Sequence, residues 1–227
     1  MQNKAAIYHF TDKSDQRPKI CKDQLKALVK FAASAGFSAY DIYCDKSLKR
    51  GERTEFDRFL SEYAQYDALI TKDLYHISKN TGKCMSIMQE LQKEGLQIHT
   101  IENGTFSWTE APFNSPLRAA SYTCLLGTPD EMKELIPVRN DIIELFVRKK
   151  TMWNLVDQYY DKCRHQKNGD QIQLAQLMED RDKYDILIVH NLNDIHWRTA
   201  HLCKIREQLH MDIYSLQEGL LRYNKGI

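Results

Sequence analysis

Tyr66-Asp67-Ala68-Leu69-Ile70 returns later in the chain as Tyr184-Asp185-Ile186-Leu187-Ile188, displaced by 118 residues. Holding that displacement, Leu74 falls on Leu192, Ile77 on Ile195, Thr81 on Thr199, Ile87 on Ile205 and Leu91 on Leu209. In the other direction Phe56, Phe59 and Leu60 fall on Leu174, Leu177 and Met178. Each matched segment must bury an apolar face at the same point of its own fold. A displacement kept through about three consecutive elements therefore implies two copies of one supersecondary plan. The alternative is two unrelated α/β segments that are both apolar where strands and helices must be.

Periodicity extends the pattern outward. Ala5 to Tyr8 is a short apolar run suited to a buried strand, and Leu25, Leu28, Val29 and Ala32 form a helical stripe followed by Gly36 as a C′ residue. Ala39 to Tyr43 reads as a strand, Phe56, Phe59, Leu60 and Tyr63 as a helix, and Ala68 to Ile70 as a strand. Cys84, Ile87, Met88 and Leu91 stripe a helix that Gly95 ends, before a strand at Leu96 to Ile101. The second half repeats this order. It runs through a strand at Ala120 to Leu125, a helix starting near Pro129 with Ile142, Leu145 and Phe146 as its stripe, and a strand at Leu155 to Tyr160. The Leu174/Leu177/Met178 helix, a strand at Ile186 to Val189, a Leu202/Ile205/Leu209 helix and a strand at Ile213 to Leu216 complete it. Strands alternating with helices at this spacing predict an α/β fold. The expectation is two domains, residues 1–106 and 119–227, each with a mostly parallel central sheet of about four strands and flanking helices. Pro112, Asn114, Ser115 and Pro116 mark residues 107–118 as a linker.

Composition bounds the function. With 227 residues, 42% apolar and 28% charged, the chain reads as soluble and globular, and a net charge of +1 is not that of a dedicated nucleic-acid binder. Cys21, Cys44, Cys84, Cys124, Cys163 and Cys203 include no C-x-x-C pair and no histidine at ligand spacing, so reduced core thiols, no metal and no cofactor are expected. No apolar run reaches the ~20 residues that span a bilayer and no secretory h-region is evident, which points to the cytoplasm.

The first half resembles the catalytic domain of the serine recombinases, the resolvase and invertase family. That family opens with Tyr-x-Arg-x-Ser-x-x-x-Gln; here the stretch runs from Tyr8 through Phe10 and Asp12 to Gln16. Gln24-Leu25-Lys26-Ala27-Leu28 is similar to the family's first helix. Tyr43-Cys44-Asp45 is similar to its acidic strand end, and Arg53-Thr54-Glu55-Phe56 to its Arg-Pro-x-Leu helix start. Leu74-Tyr75-His76-Ile77-Ser78-Lys79-Asn80 stands where the family has Leu-Asp-Arg-Leu-Ser-Arg-Asn. The resemblance covers roughly residues 4–106.

The departures fall on the chemistry that the resemblance implies. Serine attack on a DNA phosphate needs an activatable hydroxyl and cations around the phosphoryl oxygens. Asp12 takes the nucleophile position and would repel a phosphate, Phe10 takes an arginine position, and Tyr75-His76 replaces Asp-Arg. Lys79 keeps charge without the arginine fork, leaving Arg53, with Gln16 beside it. In the second half Cys124, Leu126 and Gln171 take the arginine, serine and Arg53 positions, while Asn193, Asp194 and Arg198 stand near the Asp-Arg-x-x-Arg neighbourhood. Both copies read as catalytically dead. The family's long dimer helix and helix-turn-helix domain are expected to be absent as well.

Other residues can still be weighed. Thr11 and Ser14 flank the dead position and are the candidates for a shifted nucleophile; loop Ser and Thr also serve as turn formers or caps. His9, His76, His190 and His196 read as surface or satisfied histidines, and Trp108, Trp153 and Trp197 lack the spacing of a stacking platform. Lys46, Lys49, Arg50, Arg53, Lys79 and Lys83 are candidates for phosphate or DNA contact on one rim of the first sheet. Arg148, Lys149 and Lys150 suit a helix C-terminus. The expectation is a non-enzymatic binding or assembly module for a protein partner, recombination-related or a second copy, with at most weak DNA binding and no membrane contact. The competing expectation is a DNA-acting enzyme with phosphoryl-transfer chemistry rebuilt around Thr11 and Ser14.

Overall fold

A run of residues buried on both faces marks the first strand, Lys4–Thr11 (β1), as the interior of a parallel sheet. The computed structural model describes residues 3–11, 17–46, 53–106, 115–126, 128–163 and 171–223. Asp12, Ser14, Gln16, Lys49, Arg50 and Trp108, and most of the stretch read as a linker, lie outside the described residues. The chain groups into two compact units, Met1–Lys79 with Ser86–Ser107, and Asn80–Met85 with Trp108–Ile227.

After β1 the chain forms α1 (Pro18–Ser34), β2 (Ala39–Lys46), α2 (Thr54–Glu62), β3 (Ala68–Thr71) and a single turn, α3 (Leu74–Ile77). It continues as α4 (Thr81–Lys93), β4 (Gln97–Thr100) and β5 (Gly104–Phe106). The sheet has the order β2-β1-β3-β4-β5, parallel except for β5. Alternate residues of β1 face opposite sides. Ala5 and Ile7 pack with Leu28, Ala32 and Phe37 beneath α1, whereas the Tyr8 ring lies 4.7 Å from that of Phe56 on α2. Gly36, at φ 88°, ends α1 in the left-handed conformation that glycine adopts without a Cβ clash.

The second unit holds β6 (Leu117–Leu126), α5 (Pro129–Arg148), β7 (Trp153–Cys163), α6 (Ile172–Glu179), β8 (Ile186–Val189), α7 (Thr199–Leu209), β9 (Asp212–Ser215) and β10 (Gly219–Leu221). Its sheet order is β10-β9-β8-β6-β7, again parallel except for the last strand. Ala119, Ile186 and Ile188 pack with Ile143 and Val147 of α5, and Phe146 joins Trp153 and Tyr214 in an aromatic cluster.

Four sequence expectations need correction. Each sheet has five strands, not four, because β5 and β10 are three-residue returns too short to show a period. β6 starts at Leu117, inside the segment read as linker. Cys44 is exposed on edge strand β2 and Cys21 is half-buried, although Cys84, Cys124 and Cys203 are core thiols. Finally, Ile142 and Leu145 do not face the sheet; Met132, Ile136, Ile143 and Val147 are the buried side of α5. That helix is apolar on two faces, and only packing selects between them.

Candidate functional site

In the first sheet β1 connects outward to β2 and the chain then crosses back to β3, so the strand order reverses between β1 and β3. Crevices beyond the carboxyl ends of strands at such a reversal are the usual ligand positions of open α/β sheets. Phe10 and Thr11 close β1 there, and α3 follows β3. The nearby start of α2 is organised by Asp45, at the end of β2. Arg53, the residue preceding α2, supplies no side-chain cap. Instead the Asp45 carboxylate accepts the Glu55 N–H at 3.1 Å and the Phe56 N–H at 2.9 Å, and also the Tyr8 hydroxyl at 3.1 Å. A buried carboxylate is tolerated because three donors and the positive end of the helix dipole surround it. Burial pushes the Tyr8 phenol far above its ordinary value, and Asp45 adds to the shift, so Tyr8 remains a donor.

Arg53 turns inward. Its Nη1 donates to the His76 carbonyl at 2.6 Å and to the Ile77 carbonyl, and its guanidinium lies 4.5 Å over the Phe10 ring. Lys79 Nζ stands 5.6 Å from the same ring and 5.0 Å from that of Tyr75. The two cations therefore converge on Phe10, where an aromatic face attracts each at the scale of ~0.5–2 kcal/mol. His76 is buried, edge-on to Phe10 at 6.2 Å and 6.0 Å from His9, with Nδ1 3.3 Å from an Asp73 carboxylate oxygen. Burial, with His9 adding, pushes His76 down to about 3. It is neutral at pH 7.

The second sheet carries a parallel arrangement. Tyr122 donates to Asp161 at 3.0 Å, and Asp161 accepts the Gln173 and Leu174 N–H groups at the start of α6, each at 3.0 Å. Gln171 Nε2 donates to the Ile195 carbonyl at 2.7 Å and to the Tyr122 hydroxyl at 3.2 Å, a neutral counterpart of the Arg53–Ile77 bond. Cys124 is buried, and the Leu126 side chain lies outside the described residues. The buried Asp194 binds Arg139 of α5 at 2.8 Å; burial raises its carboxyl to about 6 against the opposing pull of Arg139.

Of the positions expected at the site, Phe10, Arg53, Tyr75, His76 and Lys79 converge, and Tyr8 supports them through Asp45. Thr11 is 3% exposed; its Oγ1 shares a hydrogen bond with His9 Nε2 at 3.2 Å and lies 3.7 Å from Cys21 Sγ. Lys46 is exposed at the end of β2, opposite Thr11 in the strand register, and Lys83 is exposed on the first turn of α4. The sequence places Asp45 in the stretch that resembles the family's acidic strand end and Asp194 near its Asp-Arg-x-x-Arg neighbourhood, but gives neither a role and leaves out Asp161 and Arg139. Tyr43-Cys44-Asp45 and Tyr159-Tyr160-Asp161, the same Tyr-x-Asp at two strand ends, were the available signal. Among the described residues no cluster of three or more His, Cys, Asp or Glu is placed to hold a metal ion, and no helix is long and apolar enough to cross a membrane. An open groove of about 460 Å³, lined by Ala175, Met178, Glu179, Arg181, Asp182 and Gln208, lies around the C-terminal end of α6, away from the strand carboxyl ends.

Residues 11–119 match the family described as Resolvase, N terminal domain, the serine recombinase family. Over 105 residues the chain is 25% identical to a protein named Resolvase from Clostridium perfringens, an alignment covering 46% of this chain and 54% of that protein. The chain thus spans about half the length of that curated relative. Among solved structures, the C-terminal catalytic domain of ISC1926 TnpA, an IS607-like serine recombinase, is 19% identical, with 64% of this chain and 84% of that chain covered and a TM-score of 0.35. A Caulobacter myo-inositol binding protein is 10% identical over 93% of this chain and 74% of its own, with a TM-score of 0.30. Structural overlaps at that level say nothing about function.

Two outcomes follow from the site. Asp45→Ala leaves two helix N–H groups and the Tyr8 hydroxyl without their acceptor, and is expected to lower stability by about 2–4 kcal/mol in urea denaturation, more than Asp45→Asn, which keeps one acceptor oxygen. His76 contributes to acid sensitivity, as does His196, which burial lowers to about 4. The folded value of His76, near 3, lies below the ordinary 6.5, so on acidification the unfolded chain takes up that proton first. The contribution is whole above pH 6.5 and is lost at roughly 1.4 kcal/mol per pH unit below it, until pH nears 3. Asp194, raised to about 6, titrates with the opposite sign, which makes a comparison with a variant necessary. Between pH 6.5 and 5 the wild type should lose about 2 kcal/mol more than His76→Gln. Equal losses would show that His76 is not held neutral.

Proposed function

We propose that this chain is a catalytically inactive serine-recombinase-like protein, two tandem resolvase-like domains serving as a binding or assembly module. The observation that carries this reading is the engagement of Arg53. The one arginine left from the family pattern donates to two main-chain carbonyls and stacks on Phe10, so its cation supports the fold where a phosphate clamp would need outward-facing donors. His76 beside it is neutral, and Thr11 is buried. The tandem reading is supported by the equal strand orders and by the repeated Tyr–Asp–helix networks of Asp45 and Asp161.

A protein surface, recombination-related or a second copy, is the favoured partner, because a chain at +1 gains little long-range attraction to a polyanion. DNA contact would rest on Lys46, Lys49, Arg50, Lys79 and Lys83, and on Arg53 only were it to leave the His76 and Ile77 carbonyls. One observation favours the competing enzymatic reading: the Thr11 hydroxyl is within proton-transfer distance of His9. Against it, that hydroxyl is enclosed by His9 and Cys21.

Incubation of the protein with supercoiled DNA and a divalent cation is expected to give no covalent protein–DNA adduct on denaturing gels. An adduct that disappears in Thr11→Ala or Ser14→Ala would overturn the inactive reading. In gel-shift titrations, affinity for DNA should be weak and fall on a log–log salt plot with a slope no steeper than about −5, for at most six neutralised phosphates. Nanomolar, sequence-selective binding at physiological salt would make DNA the partner instead.

A further inference from the structure

Helix α5 has two apolar faces where a helix resting on a sheet needs one. Met132, Ile136, Ile143 and Val147 face inward and are buried. On the other side Leu135, Val138, Ile142 and Leu145 are 49%, 52%, 42% and 55% exposed. Singly exposed apolar residues are ordinary, but four in register on one helix are a seam. With Glu131 before them and Lys149 after them they alternate spacings of four and three residues, the heptad pattern of a helix that packs along another helix. Pro137 lies beside the seam rather than in it.

The charges flanking the seam are asymmetric. Asp130, Glu131 and Glu134 lie at its start and Arg148, Lys149 and Lys150 at its end, whereas the helical period puts Lys133 and Glu144 away from it. Glu131 also closes the Thr128 capping box, and Arg148 pairs with Glu144 at 3.0 Å, contacts that pairing with a second copy must share. The helix dipole favours this arrangement within one chain, and it also makes the face complementary to itself when reversed.

We propose that this face is a self-association surface on which α5 pairs antiparallel with α5 of a second copy, about a two-fold axis near Asn140. In that pairing Leu135 meets Leu145 of the second copy and Val138 meets Ile142. Glu131 meets Lys149 at both ends, and Glu134 comes alongside Arg148. Every contact off the axis occurs twice, as in an isologous dimer. A parallel pairing would set Glu131 against Glu131 and Lys149 against Lys149, so the charges select the antiparallel one. Asp141 falls near its own copy at the axis, an unfavourable contact that limits affinity. The seam covers about two and a half heptads, less than the ~800 Å² per partner of a standard stable interface, so the dimer is concentration-dependent. The proposal deepens the assembly reading and rests on it by naming the partner as a second copy.

The full chain should therefore show a monomer–dimer equilibrium in sedimentation experiments between about 1 and about 200 μM, with a dissociation constant on the order of tens of micromolar. Leu135→Lys and Leu145→Asp should each weaken association by at least about tenfold, because each buries a charge against leucine. An equimolar mixture of the two variants should recover it, since the antiparallel register sets Lys at 135 against Asp at 145 and leaves Leu145 facing Leu135 at the other end. Circular dichroism melts confirm folding; Val138→Ser, shorter and neutral, repeats the weakening should either charged variant unfold. A wild type monomeric throughout, a dimer that all three variants leave intact, or a mixture that stays monomeric would overturn the proposal. The adduct assay reads β1 and the residues after it, not α5, so a missing dimer leaves the inactive-site reading standing.

Discussion

A buried carboxylate at the end of an edge strand is the constraint on which each unit depends. Asp45 and Asp161 arrive on β2 and β7, and each must satisfy its own charge while the helix that follows must satisfy its first N–H groups. The two needs cancel when the carboxylate caps the helix, and the remaining lone pairs take a tyrosine hydroxyl from the neighbouring strand. Edge strand, helix and neighbouring strand are thereby tied at one point, at the carboxyl end of the sheet. A second tyrosine network ties the other end of the same strands: Tyr66 donates to Asp41 at 2.8 Å and meets Tyr43 at 2.6 Å. Tyr184 likewise donates to Asp157 and meets Tyr159, each at 2.6 Å.

This geometry leaves the shape beside Asp45 independent of any phosphate bound there, because the contacts that hold it are made within the chain. The guanidinium of Arg53 has the Phe10 ring to stack on and two carbonyls after β3 to bind. His76 can then be buried because it carries no charge. In the second unit the same main-chain bond is made by Gln171, so charge at that position is dispensable to the fold. What persists in both units is the role that holds backbone in place. What differs is the charge a phosphate would require.

Helix α5 shows the converse. Its inner face is dictated by the sheet and its outer face by nothing within the second unit, yet the outer face is as apolar and as regular. Acidic residues beside the start of that face and basic residues beside its end make it compatible with its own reverse.

The order of strands and helices was legible from the residues alone, because four-residue apolar runs such as Ile186–Val189 and i, i+3, i+4 stripes such as Leu25, Leu28 and Val29 are consequences of local geometry. The chemistry of single side chains is legible for the same reason: Phe10 and Tyr75 cannot do what arginine and aspartate do, wherever they lie. The three-residue returns β5 and β10 were not legible, being shorter than any period, nor was the inward face of α5, whose sequence offers two stripes of equal quality. Likewise nothing in Tyr-x-Asp announces that its carboxylate caps a helix about ten residues further on, or in Arg53 that its donors reach the carbonyls of residues 76 and 77. Periodicity and side-chain chemistry belong to the sequence because they act within a few residues. Burial, capping in trans and the neutrality of His76 belong to the tertiary structure because they depend on which distant groups replace water.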